Sequence, residues 1–136
     1  MKFLVVDDSS SKRRIIANCL KKLGYDDVVE AESGVAALAE IAKGSVDLLI
    51  TEWNLPGIDG LTLVKKVRAD DRFKQIPILM LTTEAVKEDV IDALKAGVDS
   101  VIVKPFTTEV LAEKVKKASG SARCQDAKAD GGENGE

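Results

Sequence analysis

Short runs of apolar residues alternate along the chain with stretches in which apolar residues recur every three or four positions. The runs predict buried β-strands, and the periodic stretches predict amphipathic α-helices that cover the sheet with one face. Five such strand–helix units follow one another. This alternation requires a parallel sheet with right-handed crossovers, so we predict a doubly wound α/β fold. The predicted strands cover residues 3–6, 27–31, 48–50, 76–81 and 101–103.

Serine and glycine residues mark the ends of the first helices. Ser9 or Ser10 caps the first helix, Gly24 stops it, and Ser33 caps the second. The strand at 27–31 between these helices is more polar than the others, which suits an edge of the sheet. The helix positions predicted to face inward are Ile16, Cys19, Leu20 and Leu23; Val35, Leu38 and Ile41; Leu63, Val64 and Val67; Val86, Val90, Ala93 and Leu94; and Leu111, Val115 and Ala118.

Composition indicates one globular domain followed by a polar tail. The 136 residues are 45% hydrophobic and 32% charged, which is sufficient for one buried core. From Ser119 onward the chain consists mainly of small and charged residues without apolar periodicity. We therefore predict a domain over residues 1–118 and a disordered C-terminal tail over residues 119–136.

Charge and hydropathy argue against two classes of partner. The net charge of -3 provides no electrostatic reason to expect binding to nucleic acid or to an anionic membrane. No apolar stretch approaches the roughly 20 residues that span a bilayer. Cys19 and Cys124 form neither a disulfide framework nor a metal-ligand spacing. We expect a cytoplasmic monomer with reduced thiols.

Polar residues follow or end several of the predicted strands. Asp7 and Asp8 follow the first strand, and Glu52 comes where the apolar run of the third gives way to turn formers. Thr82 and Lys104 stand at the ends of the fourth and fifth strands. Because ligands of open α/β sheets bind at the carboxyl edge, we expect these five side chains to meet there.

The chemistry of these residues indicates a site for phosphoryl groups. Three carboxylates at one edge repel one another and require a cation, and hard oxygen ligands suit Mg²⁺ better than zinc. Thr82 offers a hydroxyl and Lys104 an ammonium to phosphoryl oxygens. Each residue also has a purely structural explanation: Glu52 begins a loop, Thr82 caps a helix, and Lys104 is a counter-ion. Their occurrence together at equivalent strand ends favours a common site.

Four motifs resemble the receiver domains of two-component response regulators, and most closely their chemotaxis branch. The motifs are Val-Asp-Asp-Ser at 6–9, Trp-Asn-Leu-Pro-Gly-Ile-Asp-Gly at 53–60, Leu-Thr-Thr-Glu at 81–84 and Val-Lys-Pro-Phe-Thr at 103–107. The resemblance extends from about Lys2 to Ala118. It implies a flavodoxin-like fold with strand order 2-1-3-4-5 and a cis peptide bond between Lys104 and Pro105.

The resemblance also implies a function, which is phosphotransfer from a sensor histidine kinase to a carboxylate at position 52. It assigns Mg²⁺ to Asp8, the acceptor and the main-chain carbonyl of Asn54, with Asp7 assisting. It assigns the phosphoryl group to Thr82 and Lys104. A downstream protein, with the flagellar motor switch as the candidate, would bind the face formed by the fourth helix, fifth strand and fifth helix. We expect a signalling protein and not an enzyme.

Two residues depart from the family pattern. Glu52 stands where receiver domains carry aspartate, and a nucleophile displaced by about 1 Å can react roughly a hundredfold more slowly. We therefore expect impaired phosphotransfer and weak Mg²⁺ binding at a disturbed octahedral site. The longer carboxylate also brings charge toward Thr82 and Lys104, which partly imitates a phosphoryl group. Val101 stands where these domains carry an aromatic residue that rotates on activation.

Other classes of function use the same fold. A phosphate-independent binding module would keep the site in one state through Glu52. A phosphohydrolase would use Asp7 as its nucleophile and would turn over phosphate esters. A flavin carrier is disfavoured, because the loop after the first strand is acidic, lacks glycine and would repel the FMN phosphate.

Overall fold

The computed structural model describes residues 1–82 and 87–121. The five strands are β1 (Phe3–Val6), β2 (Val28–Ala31), β3 (Leu48–Glu52), β4 (Ile78–Thr82) and β5 (Ser100–Val103). The helices that follow them are α1 (Ser10–Lys22), α2 (Gly34–Ala42), α3 (Gly60–Ala69), α4 (Lys87–Ala96) and α5 (Thr108–Ser121). The strands form one parallel sheet in the order β2-β1-β3-β4-β5. The predicted fold class and strand order are confirmed.

Side-chain caps start the first three helices. The Ser9 side chain accepts a hydrogen bond from the backbone N–H of Lys12. Ser9, and not Ser10, is therefore the N-cap of α1. Ser33 caps α2, and Asp59 caps α3 by accepting from the N–H of Thr62 at 2.8 Å. Each cap satisfies a donor that the first helical turn leaves without an intrahelical partner.

The core has two layers because successive residues of a strand point to opposite faces of the sheet. Leu4 and Leu49 pack in the layer that includes α2, α3 and α4 residues. Phe3 and Leu48 pack in the layer that includes residues of α1 and α5. The three central strands are buried along their whole length, which explains their continuous apolar sequences.

Two of the predicted inward positions are wrong. Val35 is 67% exposed and Leu94 is 49% exposed. On α2 the buried stripe is Gly34, Ala37 and Ile41, so Val35 lies one helical position, about 100°, away from it. On α4, Ala93 is fully buried and the next residue therefore turns outward.

The C-terminal boundary is shifted from the predicted one. Helix α5 continues through Ser121, so residues 119–121 belong to the helix and not to the tail. The rest of the predicted disordered tail, with Cys124, lies outside the described residues, as does Val86 on the predicted fourth helix. Among residues 1–82 and 87–121, no helix is both long and apolar enough to cross a bilayer.

Candidate functional site

Strand register brings the predicted site residues to one edge of the sheet. Val6 is the partner of Thr51 in the β1–β3 pairing, so Asp7 and Glu52 follow at the same level. Thr82 pairs with Val103 at the end of β4, and the backbone N–H of Lys104 donates to the Thr82 carbonyl at 2.8 Å. The predicted meeting of these residues therefore follows from the order of the strands.

Lys104 connects the two buried carboxylates of the site. Its ammonium donates a hydrogen bond to Oε1 of Glu52 and lies 3.4 Å from Oδ2 of Asp7. The Lys104 side chain is 13% exposed, and both carboxylates are more deeply buried. A shared ammonium offsets the repulsion between two acids that water cannot screen.

Both carboxylate oxygens of Glu52 have hydrogen-bond donors. While Oε1 accepts from Lys104, Oε2 accepts at 3.1 Å from the backbone N–H of Trp53, which it shares with the Leu81 carbonyl at 3.0 Å. This second bond turns the side chain back toward its own main chain. The extra methylene of glutamate is thus accommodated by curling the carboxylate within the site.

Asp7 is fully buried and is held through four of its atoms. Its backbone N–H donates to the Ala31 carbonyl at 3.1 Å, and its own carbonyl accepts from Nη1 of Arg13 at 2.6 Å. Its Oδ1 accepts from the N–H of Ser9 at 2.9 Å, while Oδ2 faces Lys104. The acid turn after β1 is therefore fixed by both main-chain and side-chain contacts.

Arg13 is a site residue that the sequence analysis missed. It lies on α1 and also donates from Nε to Oε1 of Glu30 on β2 at 2.9 Å. A cation near a helix N-terminus is electrostatically unfavourable, but Lys12 and Arg14 share that place, so the sequence alone does not single out Arg13.

The predicted metal ligands have suitable chemistry and differ in burial. Asp8 and Asn54 are exposed, whereas Asp7 and Glu52 are buried. Within residues 1–82 and 87–121, no group of three or more Asp, Glu, Cys or His side chains is arranged to hold a metal ion. Oxygen donors of this kind suit Mg²⁺, but Glu52 is engaged by Lys104 and the Trp53 N–H. The ligand set stays a prediction.

Glycine permits the loop after β3 to lie close to the site. A Cβ atom at Gly60 would lie 2.3 Å from the Glu52 carbonyl oxygen, and the Gly60 N–H donates to the Trp53 carbonyl at 2.8 Å. At the other side of the loop, a Cβ at Gly34 would lie 2.4 Å from Cγ1 of Ile58. The loop is therefore packed closely at Ile58, against the start of α2, and at Gly60, against the end of β3.

Near β5, the structure confirms the predicted peptide geometry and shows the surroundings of two further predicted features. The Lys104–Pro105 peptide bond is cis, as predicted. Position 101, where receiver domains carry the rotating aromatic residue, holds the aliphatic side chain of Val101. This side chain is half-buried and packs on the core layer that includes α2, α3 and α4 residues. Four apolar side chains are exposed on the predicted partner face of α4, β5 and α5: Ile91, Leu94, Val103 and Val110.

A groove of about 340 Å³ lies beside the site, between α1 and the segment that leads into α5. Lys104 lines the groove and also contacts the buried carboxylates of Asp7 and Glu52, so the groove adjoins the site through this side chain. Most of the remaining lining is apolar. The groove residues are Lys12, Ile15, Ile16, Cys19, Lys104, Pro105, Phe106 and Thr108.

Comparison with known protein families agrees with this geometry. Residues 3–116 match the response regulator receiver domain. The chain belongs to this family. As a receiver domain, it is 60% identical over 122 residues to the chemotaxis protein CheY1 of Helicobacter pylori J99, a match that covers 89% of this chain and 98% of that protein. It is a CheY-like response regulator domain.

Solved structures show the same relationship. The Vibrio cholerae chemotaxis response regulator CheY4 superposes with a TM-score of 0.80 and 38% identity, over 86% of this receiver domain chain and 97% of CheY4. The receiver domain of a Pseudomonas aeruginosa sensor histidine kinase, with a magnesium ion in its active-site cleft, gives a TM-score of 0.80 and 28% identity. That match covers 88% of this chain and 98% of the kinase domain.

Proposed function

We propose that this protein is a chemotaxis response regulator that accepts a phosphoryl group poorly because glutamate occupies its acceptor position. One observation carries the proposal. The carboxylate of Glu52, at the position of the family's acceptor aspartate, is held by the Lys104 ammonium and by the Trp53 N–H. A nucleophile with both oxygens engaged and one extra methylene is displaced from the in-line position that phosphoryl transfer requires.

The remaining residues of the site have the roles expected of a receiver domain. Lys104 supplies a positive charge for the phosphoryl oxygens, and the buried Thr82 supplies a hydroxyl at the adjacent strand end. Asp7 and Asp8, together with the main-chain carbonyl of Asn54, are the oxygen donors for Mg²⁺. When bound, Mg²⁺ neutralises charge on a phosphoryl group. We propose that this binding is weak because Glu52 is diverted toward Lys104.

The proposed partners are a sensor histidine kinase and a downstream protein in the cytoplasm. The groove beside Lys104 adjoins position 52 and gives a kinase an apolar surface close to the acceptor. The exposed Ile91, Leu94, Val103 and Val110 supply an apolar output face, with the flagellar motor switch as the candidate target. We propose a signalling protein with no enzymatic turnover, no nucleic-acid partner and no membrane partner.

A second candidate function is a phosphate-independent binding module. The ion pair between Glu52 and Lys104 favours it, because a carboxylate placed against the phosphate-reading lysine supplies negative charge without any phosphodonor. One carboxylate carries a single charge, whereas a phosphoryl group carries nearly two, so the imitation is partial. In this alternative the output face keeps one affinity for its target under all conditions.

The test is intact-mass spectrometry after incubation with Mg²⁺ and an acyl phosphate, and separately with a phosphorylated histidine kinase. We expect little modification of the protein as it stands and a gain of one phosphoryl group on Glu52→Asp. The matched control is Glu52→Asp combined with Asp8→Asn, which should lose that gain if metal neutralisation is required. Equal modification of the Glu52 form would refute the distance argument. No modification of Glu52→Asp by either donor would favour the phosphate-independent module.

A further inference from the structure

We infer that Arg13 is a positioning residue that sets the direction of the acid turn at Asp7 and Asp8. The inference begins with the short contact from Nη1 of Arg13 to the main-chain carbonyl of Asp7, at 2.6 Å. Hydrogen bonds from a charged donor are about twice as strong as those between neutral groups. Arg13 is 15% exposed, so this contact is largely protected from water.

Holding the carbonyl of Asp7 also orients Asp8. The peptide unit between the two residues is planar, so the position of its oxygen fixes the direction in which the Asp8 backbone begins. Asp7 itself is tied at its N–H by Ala31 and at its carboxylate by the Ser9 N–H and Lys104. The hydrogen bond from Arg13, in contrast, is made to the carbonyl oxygen of the peptide unit that joins Asp7 to Asp8. Arg13 thereby fixes the orientation of the peptide from which the exposed Asp8 extends.

The second contact of Arg13 is a solvent-exposed ion pair with Glu30, whose side chain is 42% exposed, and it links the guanidinium to the sheet. Its Nε donates to Glu30 at 2.9 Å, and Glu30 pairs with Val5 in the register of β2 and β1. The guanidinium is planar and presents its donors as a rigid fork, so one partner on the sheet constrains the direction of the other bond. An ammonium in its place has a compact charge and no such fork. The function of Arg13 therefore depends on shape as well as charge.

The part of this inference that concerns Mg²⁺ rests on the proposed function, whereas the part that concerns the acid turn does not. The variants are Arg13→Met, which keeps much of the apolar stem, and Arg13→Lys, which keeps the charge. Arg14→Met is the matched control, since Arg14 is exposed on the same helix. Amide hydrogen exchange without metal is measured at Ser9, whose N–H donates to Asp7, and at Ile50 in the buried centre of the sheet.

We expect Arg13→Met to accelerate exchange at Ser9 on the order of tenfold and to leave Ile50 nearly unchanged, with no effect of Arg14→Met. Arg13→Lys should behave like Arg13→Met. Unchanged exchange at Ser9, or equal acceleration at Ser9 and Ile50, would overturn the inference. Full recovery with Arg13→Lys would show that charge alone suffices and would also overturn it.

A Mg²⁺ titration of the same variants, followed by the amide resonance of Asp8, tests the connection to the metal. Arg13→Met should require a severalfold higher Mg²⁺ concentration for half-saturation than the protein with Arg13. If Ser9 exchange responds as expected but no form of the protein binds Mg²⁺, the positioning role of Arg13 is supported and the Mg²⁺ part of the proposed function fails. An unchanged Mg²⁺ midpoint in Arg13→Met would overturn the role of Arg13 in orienting Asp8.

Discussion

Lys104, which follows β5, reaches past the end of β4 and donates a hydrogen bond to Glu52 at the end of β3. This contact joins two strands that are not neighbours in the sheet. It also places the positive charge of the site directly on the residue that departs from the family pattern. The behaviour of the site therefore depends on this pair.

Removal of the Lys104 charge should destabilise the fold. We expect Lys104→Met to lower the free energy of unfolding by about 3–5 kcal/mol, because it leaves two buried carboxylates without their shared ammonium. Urea unfolding measures the loss, and Lys116→Met on the exposed side of α5 is the control. In a Glu52→Gln background the loss should be clearly smaller. Strict additivity of the two substitutions would show that the pair has no coupling energy.

Mg²⁺ binding should be weak and should improve with a shorter acceptor side chain. Because Glu52 is held by Lys104 and Trp53, we expect half-saturation only at millimolar Mg²⁺ or above, and at a lower concentration for Glu52→Asp. The intrinsic fluorescence of Trp53, which adjoins the site, reports the titration. Asp8→Asn should abolish the response. A flat signal in both the unsubstituted protein and the Glu52→Asp variant would count against a metal site.

Glycine at position 60 should be required for the geometry of the acceptor strand. Gly60→Ala places a methyl group against the Glu52 carbonyl, a backbone atom that cannot easily move, so we expect a loss of about 3 kcal/mol or more in unfolding free energy. Gly34→Ala meets the flexible side chain of Ile58 and should cost less. Combining Gly34→Ala with Ile58→Ala should recover part of that loss. Equal losses for Gly60→Ala and Gly34→Ala would contradict this distinction.

Arg68, whose side chain is largely buried, should contribute more to the free energy of unfolding than the exposed Arg72. Its guanidinium donates to the carbonyls of Gly97 and Ile76 and pairs with Asp99, which joins α3 to the segments that precede β4 and β5. Since lysine cannot reproduce this fork, we expect Arg68→Lys to lower the unfolding free energy by about 2 kcal/mol or more. Arg72→Lys is the control, because Arg72 is exposed and its contacts, with Asp70 and with the neighbouring Phe73 ring, are local. Similar midpoints in urea for both variants would refute the prediction.

The sequence by itself determined the elements and the sheet edge at which Asp7, Glu52, Thr82 and Lys104 lie. Strand and helix periods are local properties, so the apolar runs located the ends of all five strands to within two residues, including the polar ends at Glu52 and Thr82. The carboxyl ends of parallel strands share one edge, so the order of elements along the chain is enough to predict that Glu52 and Lys104 meet. Helix faces were less certain, because a single residue such as Val35 or Leu94 lies only about 100° from the buried stripe.

Only the tertiary structure decided which hydrogen bonds and ion pairs the side chains of the site form. Neither the curling of Glu52 onto the Trp53 N–H nor its hydrogen bond from Lys104 follows from residue spacing, because both depend on the distance between strand ends and on side-chain reach. The same holds for Arg13, whose acceptors lie on β2 and in the turn that follows β1. Long flexible side chains select partners only after the backbone has brought those partners within hydrogen-bond distance. The type of site is therefore encoded locally, whereas its charge pairing is a property of the packed fold.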